Sequence, residues 1–380
     1  MEPYLTNTYL FCLHKDESNP SKLRPIGVPT ALRRIITSHI AKSYRRRFAL
    51  NLLPFNYAIG IDGGMDFVVK ASQLAVDKYI TSNQTKGDSP SRCYISLDLK
   101  NMFNELSREK IFEVVSTKYP ELLPLVSMLY CTPGSVFFKM DDGQWHTESM
   151  KEGVNQGCPL SSTLAALILN EILVPLTAKL KARAKERLRN NNPGDDGLGG
   201  ETDPMAYIDD CGASVYVEDV WPFLEEFNRL GTPLGCHLNY DKTRIMTSTN
   251  GTSEDAAITK YSKSTSIINA RPVSSRVEVT TGLRLLGQPL GLVTFAKQFF
   301  IDRLKANLAD SSRLLEVVPD PHTALRLFSQ CTLHKLPHLL GSEVMYYFQE
   351  STYERWSDWT GPLSVGIDQM VNAFLAKLTN

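Results

Sequence analysis

The sequence predicts an α+β fold built on a split βαβ sheet, and three observations predict it. A short apolar run, Cys93-Tyr94-Ile95-Ser96-Leu97, ends in Asp98. A second run, Ala206-Tyr207-Ile208-Asp209-Asp210-Cys211, carries a pair of acids and continues through Ala213, Val215, Tyr216 and Val217. Around these runs, apolar residues recur at helical spacings of three and four. Ionised carboxylates in apolar surroundings carry a large desolvation cost unless a cation meets them, so the second run marks a candidate metal site. The same residues also suit a plain hairpin with an acidic turn.

The elements follow in order. Cys93 to Leu97 reads as a short buried strand with an acid at its C-terminal end. Two helical stretches come next, near 108–118 and 120–130. Val136 to Met140 and Gln144 to Thr147 flank Asp141-Asp142-Gly143 as a hairpin. Leu164, Leu167, Ile168, Ile172 and Leu176 mark a long helix capped by Ser161, Ser162 or Thr163. It runs into a polar loop from Arg189 to Pro204. After the Asp209 hairpin comes a helix with Val220, Phe223, Leu224, Phe227 and Leu230 on one face, then a final strand at Thr243 to Thr247. The pairs Asp141-Asp142 and Asp195-Asp196 each precede glycine and read as solvated turns.

Stripped of insertions, residues 93–247 run β, α, β, β, α, β, the split βαβ arrangement. In that topology the first strand neighbours the central hairpin, so Asp98 and Asp209 meet across adjacent strands. Facing carboxylates on strand ends can share two divalent ions roughly 3.5–4 Å apart, the geometry of in-line phosphoryl displacement. Magnesium suits an all-oxygen ligand set.

With 380 residues, 42% hydrophobic and 22% charged, the chain has an ordinary globular composition and room for two or three domains. No apolar stretch of the sequence approaches a membrane span, and the N-terminus lacks a basic flank before an apolar core. The expectation is an intracellular protein without a membrane partner. Seven scattered cysteines with no Cys-x-x-Cys fit reduced thiols. A net charge of zero hides segregation: residues 1–47 hold nine basic side chains against three acidic, among them Arg45, Arg46 and Arg47, and residues 177–189 hold six against one. Such local positive surface suits a polyanion, although solvated helix faces look the same.

Six segments stand in a fixed order: Lys22-Leu23-Arg24-Pro25-Ile26, Asp98-Leu99-Lys100-Asn101-Met102-Phe103-Asn104, Asn155-Gln156-Gly157-Cys158-Pro159-Leu160-Ser161, Tyr207-Ile208-Asp209-Asp210, Asn239-Tyr240-Asp241-Lys242 and Leu286-Gly287-Gln288-Pro289-Leu290-Gly291. Together they resemble the fingers motif and motifs A to E of the reverse transcriptase domain of non-LTR (LINE-like) retrotransposons. Each has a plainer reading alone. Lys22 and Arg24 could be a basic turn, Phe103 a core aromatic, Gln156-Gly157 a turn before a capped helix, Lys242 a surface lysine and Gly287 to Gly291 any hairpin. Those readings together require six coincidences in the right order.

The resemblance implies a right-hand polymerase. Residues 1–92 form partial fingers, 93–291 a ferredoxin-like split βαβ palm with loops inserted at 189–204 and 248–275, and 292–380 a helical thumb. It implies RNA-directed DNA synthesis from a primer 3′-OH with deoxynucleoside triphosphates, on an RNA template with a DNA primer. Asp98, Leu99, Asp209 and Asp210 would hold two magnesium ions, with manganese a substitute. Lys22 and Arg24 would clamp phosphates, Gln156 and Gly157 line the nucleotide and template pocket, and Lys242 protonate the leaving pyrophosphate. Phe103 would exclude a 2′-OH, and Leu286, Gly287 and Gln288 grip the primer.

Two other readings stay open: a catalytically inactive nucleic-acid-binding remnant, and an RNA-directed RNA polymerase, which Phe103 and Ile208 disfavour. The fingers motif begins at residue 22, and no endonuclease, zinc knuckle or RNase H is recognisable. The chain therefore reads as one fragment of a larger element-encoded protein or a decaying copy. Gly60-Ile61-Asp62-Gly63-Gly64 lacks the Lys-Ser or Lys-Thr of a phosphate-binding loop, and no Gly-x-Ser-x-Gly elbow occurs.

Overall fold

A computed structural model describes residues 5–14, 23–78, 92–140, 143–189, 203–247, 267–268, 271–272, 277–332, 371–372 and 374–376. Two strands near the N-terminus, β1 (Thr8–His14) and β2 (Leu23–Pro29), pair antiparallel, with Leu10 opposite Gly27. Helices α1 (Ala31–Ser43), α2 (Arg45–Leu52) and α3 (Gly64–Val76) lead to the palm strand β3 (Arg92–Leu97). A short α4 (Met102–Glu105) follows, then α5 (Arg108–Lys118) and α6 (Leu123–Tyr130). The hairpin β4 (Gly134–Lys139) and β5 (Trp145–Met150) precedes the long helix α7 (Ser161–Arg189). Next come β6 (Met205–Tyr207), β7 (Asp210–Tyr216), α8 (Val220–Gly231) and β8 (Arg244–Met246).

Among these is the split βαβ sheet, ordered β8-β3-β7-β6, with β3 antiparallel to both neighbours. The first strand of the motif thus lies between the last and the third. Strand β3 is a nearly continuous buried run, as a central strand must be when both faces are covered. Its side chains alternate: Cys93, Ile95 and Leu97 enter the main core with residues of α7 and α8, whereas Tyr94 faces α3 and meets Ser72 Oγ at 2.9 Å.

The predicted hairpin at 136–147 is present, but it belongs to another sheet. It pairs with β1 in a four-stranded sheet ordered β2-β1-β4-β5, so two sequence-distant segments build the fingers-side surface together. Asp141-Asp142 and Asp195-Asp196, the predicted turns, lie outside the described residues, as does most of the loop at 189–204. Of the second insertion at 248–275, the described part is a pair of two-residue strands, β9 (Ile267–Ile268) and β10 (Arg271–Pro272).

Strand β11 (Glu278–Thr280) extends the palm sheet parallel to β8, and β12 (Gly282–Leu285) with β13 (Gln288–Gly291) forms a separate hairpin. Helices α9 (Val293–Val317) and α10 (Pro321–Leu327) follow. A small core of Ala296, Phe300, Ala324, Phe328 and Phe374 holds this helical part, with Phe328 and Phe374 stacked at 3.9 Å.

Two expectations change. Within α7, Ser161–Glu186 is long and apolar enough by length and composition to cross a membrane, contrary to the sequence reading. Yet 72% of its apolar window is buried, and Leu164, Ala165, Leu169, Ile172 and Leu173 are core residues packed against the palm sheet. The basic clusters are also less available to a polyanion than their counts suggest. Arg45 pairs with Asp62, and Arg47 pairs with Glu121 while lying over the Tyr119 ring. On α7, Lys179, Lys181 and Arg183 pair with Glu226, Asp203 and Asp219. Much of the segregated charge therefore fastens helices to their neighbours.

Glu226 gives that fastening a pH signature. Hydrogen bonds from Arg229, then from Lys179, hold its carboxyl down to about 2, against an ordinary 4.5, and its side chain is 9% exposed. A folded-state pKa below the unfolded one contributes stability that is present above about pH 4.5 and fades as pH falls towards 2. Glu226→Gln is expected to cost about 1 kcal/mol at pH 7, discounted because Lys179 and Arg229 are solvent-facing. Urea unfolding at pH 7 and pH 3 should show the gap between variant and wild type narrowing at the lower pH.

Candidate active site

The site forms where β3 ends and the β6–β7 hairpin turns. The register puts Leu97 opposite Cys211, so Asp98 comes up beside Asp210, with Asp209 one residue further on in the turn. The turn is tight: Tyr207 pairs with Asp210, leaving only Ile208 and Asp209 between the strands. Ile208 has φ +61°, a region that β-branched residues strongly avoid.

Asp98 and Asp209 are half-buried and Asp210 is exposed. The surrounding fold, then the charges of Asp209 and Asp98, push the Asp210 carboxyl up to about 6. The charges of Asp209 and Asp98 both oppose ionisation of Asp210, and a cation would relieve that opposition. Among the described residues, no three acidic, His or Cys side chains form a ready-made cage. Magnesium does not require one, since it commonly binds through one or two carboxylates plus water and substrate phosphates. The donor chemistry fits the ion on that basis.

Asn239 and Lys242 approach Asp98 from the loop before β8. Asn239 Nδ2 donates to Asp98 Oδ2 at 2.9 Å, and Lys242 Nζ lies 3.7 Å from the same oxygen. Main-chain bonds from Asn239 N to Asp98 O and from Lys100 N to His237 O tie the two loops together. The Leu99 side chain is buried, and its carbonyl takes part in neither bond. Sequence reasoning picked out Lys242 but not Asn239, although both stand in one segment.

Phe103, on α4, is half-buried and packs against the main core. Its main-chain oxygen accepts from Val154 N at 2.6 Å, which fixes the approach to Gln156 and Gly157. Gly157 N donates to Gly27 O at 3.0 Å, and Asn155 Nδ2 donates to Thr8 Oγ1 at 2.6 Å, so this loop is bonded to β1 and β2. A side chain at 157 would overlap the Gly27 carbonyl oxygen, which is why glycine stands there. Between the fingers-side sheet and this loop lies a cleft of about 420 Å³, lined by Pro25, Gly27, Phe138, Asn104 and Gln156 among others. Exposed Gln156 and Asn104 line it; Phe103 does not.

The remaining predicted residues lie elsewhere. Lys22 is outside the described residues, and Arg24 occupies β2 opposite Leu13. Leu286 and Gly287, at φ +49° and +88°, make the two-residue turn between β12 and β13. Gln288 is fully buried, so a nucleic acid meeting this hairpin reaches its turn rather than the Gln288 side chain. Gln73 on α3 anchors the hairpin through paired bonds to Gly291 N and O, each 3.2 Å.

A family model described as reverse transcriptase (RNA-dependent DNA polymerase) matches residues 13–290. The chain is similar to the retrovirus-related Pol polyprotein from the type-1 retrotransposable element R2 of Popillia japonica, 28% identical over 171 residues, 42% of this chain and 22% of the polyprotein. Among solved structures, apo telomerase from Candida tropicalis, truncated from its C-terminal domain, aligns at 13% identity with a TM-score of 0.46, covering 77% of this chain and 55% of that one. Telomerase from Candida albicans, in complex with a TWJ fragment of telomeric RNA, aligns at 9% identity and a TM-score of 0.47, covering 99% and 59%. The match thus spans less than a quarter of the R2 polyprotein and somewhat over half of each telomerase chain. The R2 relative accords with the non-LTR resemblance carried by the motifs, and with the family model covering most of its length, the chain belongs to the reverse transcriptase (RNA-dependent DNA polymerase) family.

Proposed function

We propose that this chain adds deoxynucleotides to a primer 3′-OH under the direction of an RNA template. The observation that carries the reading is the meeting of Asp98, Asp209 and Asp210 at the end of the palm sheet. Two magnesium ions held there with substrate phosphate oxygens would supply a more acidic 3′-OH and neutralise charge on the departing pyrophosphate.

The chain's own residues do the positioning. Asn239 orients Asp98 by donating to one carboxylate oxygen. Lys242, paired to that oxygen at 3.7 Å, is within reach of the site and would donate to the departing pyrophosphate. Gln156 and Asn104 present amides into the cleft beside the fingers-side sheet, where they can meet a template or nucleotide base. Arg24, with Lys22, supplies cationic contacts to the triphosphate. A DNA primer annealed to an RNA template, incubated with magnesium and deoxynucleoside triphosphates, should be extended; binding without extension identifies the inactive-remnant reading instead.

Phe103 carries the preference for deoxyribose in this reading. A ring five residues after Asp98 leaves no room and no hydrogen bond for a 2′-OH, a loss of roughly tenfold to a hundredfold for a ribonucleotide. Phe103→Ala is expected to raise relative ribonucleotide kcat/KM by that factor, with deoxynucleotide incorporation falling modestly. An unchanged ratio assigns Phe103 to the core alone, consistent with its packing there.

A further inference from the structure

We propose that Asn56 is a positioning residue for the catalytic turn, holding the main chain of Ile208 and so setting where Asp209 and Asp210 present their carboxylates. The inference rests on the assignment of those acids to the polymerase centre. Asn56 is fully buried, in the apolar stretch Leu53-Pro54-Phe55-Asn56-Tyr57-Ala58-Ile59 between α2 and α3. Its amide nitrogen donates to Ile208 O at 3.0 Å, and its amide oxygen accepts from Ile208 N at 3.3 Å and from Ala58 N at 3.1 Å. The two ends of one side chain thus engage both main-chain polar groups of the one residue in the turn with left-handed backbone.

The neighbouring main chain fixes that side chain in turn. Ala206 N donates to Phe55 O at 2.7 Å and Tyr57 N donates to Ala206 O at 3.0 Å, so residues 55–57 line β6 as a short parallel bridge. Asn56 therefore sits in register with the strand leading into the turn, 152 residues away in sequence. An amide is what this position needs: it offers a donor and an acceptor side by side. Aspartate keeps the acceptor and lacks the donor. Alanine lacks both, and leaves Ile208 to hold a backbone conformation that its β-branched side chain opposes.

The test uses the full chain on a primer annealed to an RNA template. Asn56→Ala is expected to lower kcat on the order of tenfold to a hundredfold, the penalty for reacting groups displaced by about an ångström. The magnesium concentration for half-maximal rate should rise with it, while deoxynucleotide KM and primer-template affinity stay within about twofold, a split that general loss of packing does not give. Asn56→Asp, nearly isosteric, should show the same pattern more weakly.

In an Ile208→Gly background, where positive φ is unstrained, removal of Asn56 should cost less than about a third as much, the coupling a double-mutant cycle isolates. Wild-type kcat and magnesium dependence in both Asn56 variants would overturn the proposal, as would an equal loss in both backgrounds. Should Asn56→Ala not fold, the Asn56→Asp measurement decides alone. A wild-type chain that binds primer-template without extending it removes the polymerase reading beneath, which separates that failure from this one.

Discussion

Asp209→Asn is expected to abolish primer extension, and Asp98→Asn to do the same, with primer-template affinity nearly intact. The substitution preserves shape and removes one charge from a set in which desolvation, then the charges of Asp209 and Asp98, raise the Asp210 carboxyl to about 6. In the proposed reading an ion held there would relieve that repulsion, so each lost carboxylate charge would weaken the hold on the metal and its effect on the 3′-OH. The expected loss is at least a thousandfold in kcat/KM, about 4 kcal/mol of transition-state stabilisation. Asp210→Asn should be milder: Asp210 is the most exposed of the three, and its carboxyl is already raised to about 6. Extension by Asp209→Asn at the wild-type rate would contradict the metal site.

Gly157→Ala is expected to be the most damaging small substitution outside the acids. The added carbon would meet the Gly27 carbonyl, which is main chain and already accepts the Gly157 N–H at 3.0 Å. Relief requires the loop and β2 to separate, breaking that bond and disturbing the Asn155–Thr8 contact. Overpacking of this kind typically costs about 1–3 kcal/mol, and here it also shifts Gln156 in the cleft. Gly27→Ala is the informative control, since its nearest obstacle is the Thr8 Cγ2 methyl at 2.9 Å, a side chain rather than main chain. Thermal unfolding and deoxynucleotide KM, measured for both, should rank Gly157→Ala as the worse.

The palm was legible because its signals are local and strong. A continuous apolar strand, two long helices with clear spacing and an acid-tipped hairpin fix the split βαβ order, and strand β3 lies where that order places it. Asp98 and the Asp209-Asp210 pair were legible for the same reason, as charges in runs that otherwise read as core. The fingers-side sheet was not, since β1 pairs with β4 across more than a hundred residues, and β2 contains Pro25 and ends at Pro29. Local pattern carries no information about such a pairing.

The acids' supporting residues were harder to read. Asn239 stands in a recognised segment, but nothing in its spacing says that its amide, rather than the lysine three residues later, makes the shorter contact with Asp98. Asn56 carries one faint signal, a lone amide in an apolar stretch, where a buried polar group demands partners without naming them. Its partner became evident only with the φ of Ile208. The basic clusters overstate the unpaired charge of their described part, because composition counts charges and not the acids that pair with them.

The most direct measurement is manganese uptake by the full chain in complex with an RNA template, a 3′-deoxy-terminated primer and a matched deoxynucleoside triphosphate. Manganese accepts the same oxygen ligands as magnesium and is countable by electron paramagnetic resonance. Two ions per chain are predicted when the matched nucleotide is present, with at least one lost in Asp98→Asn and in Asp209→Asn. Equal uptake by wild type and both variants would contradict the assignment of these carboxylates as the metal centre.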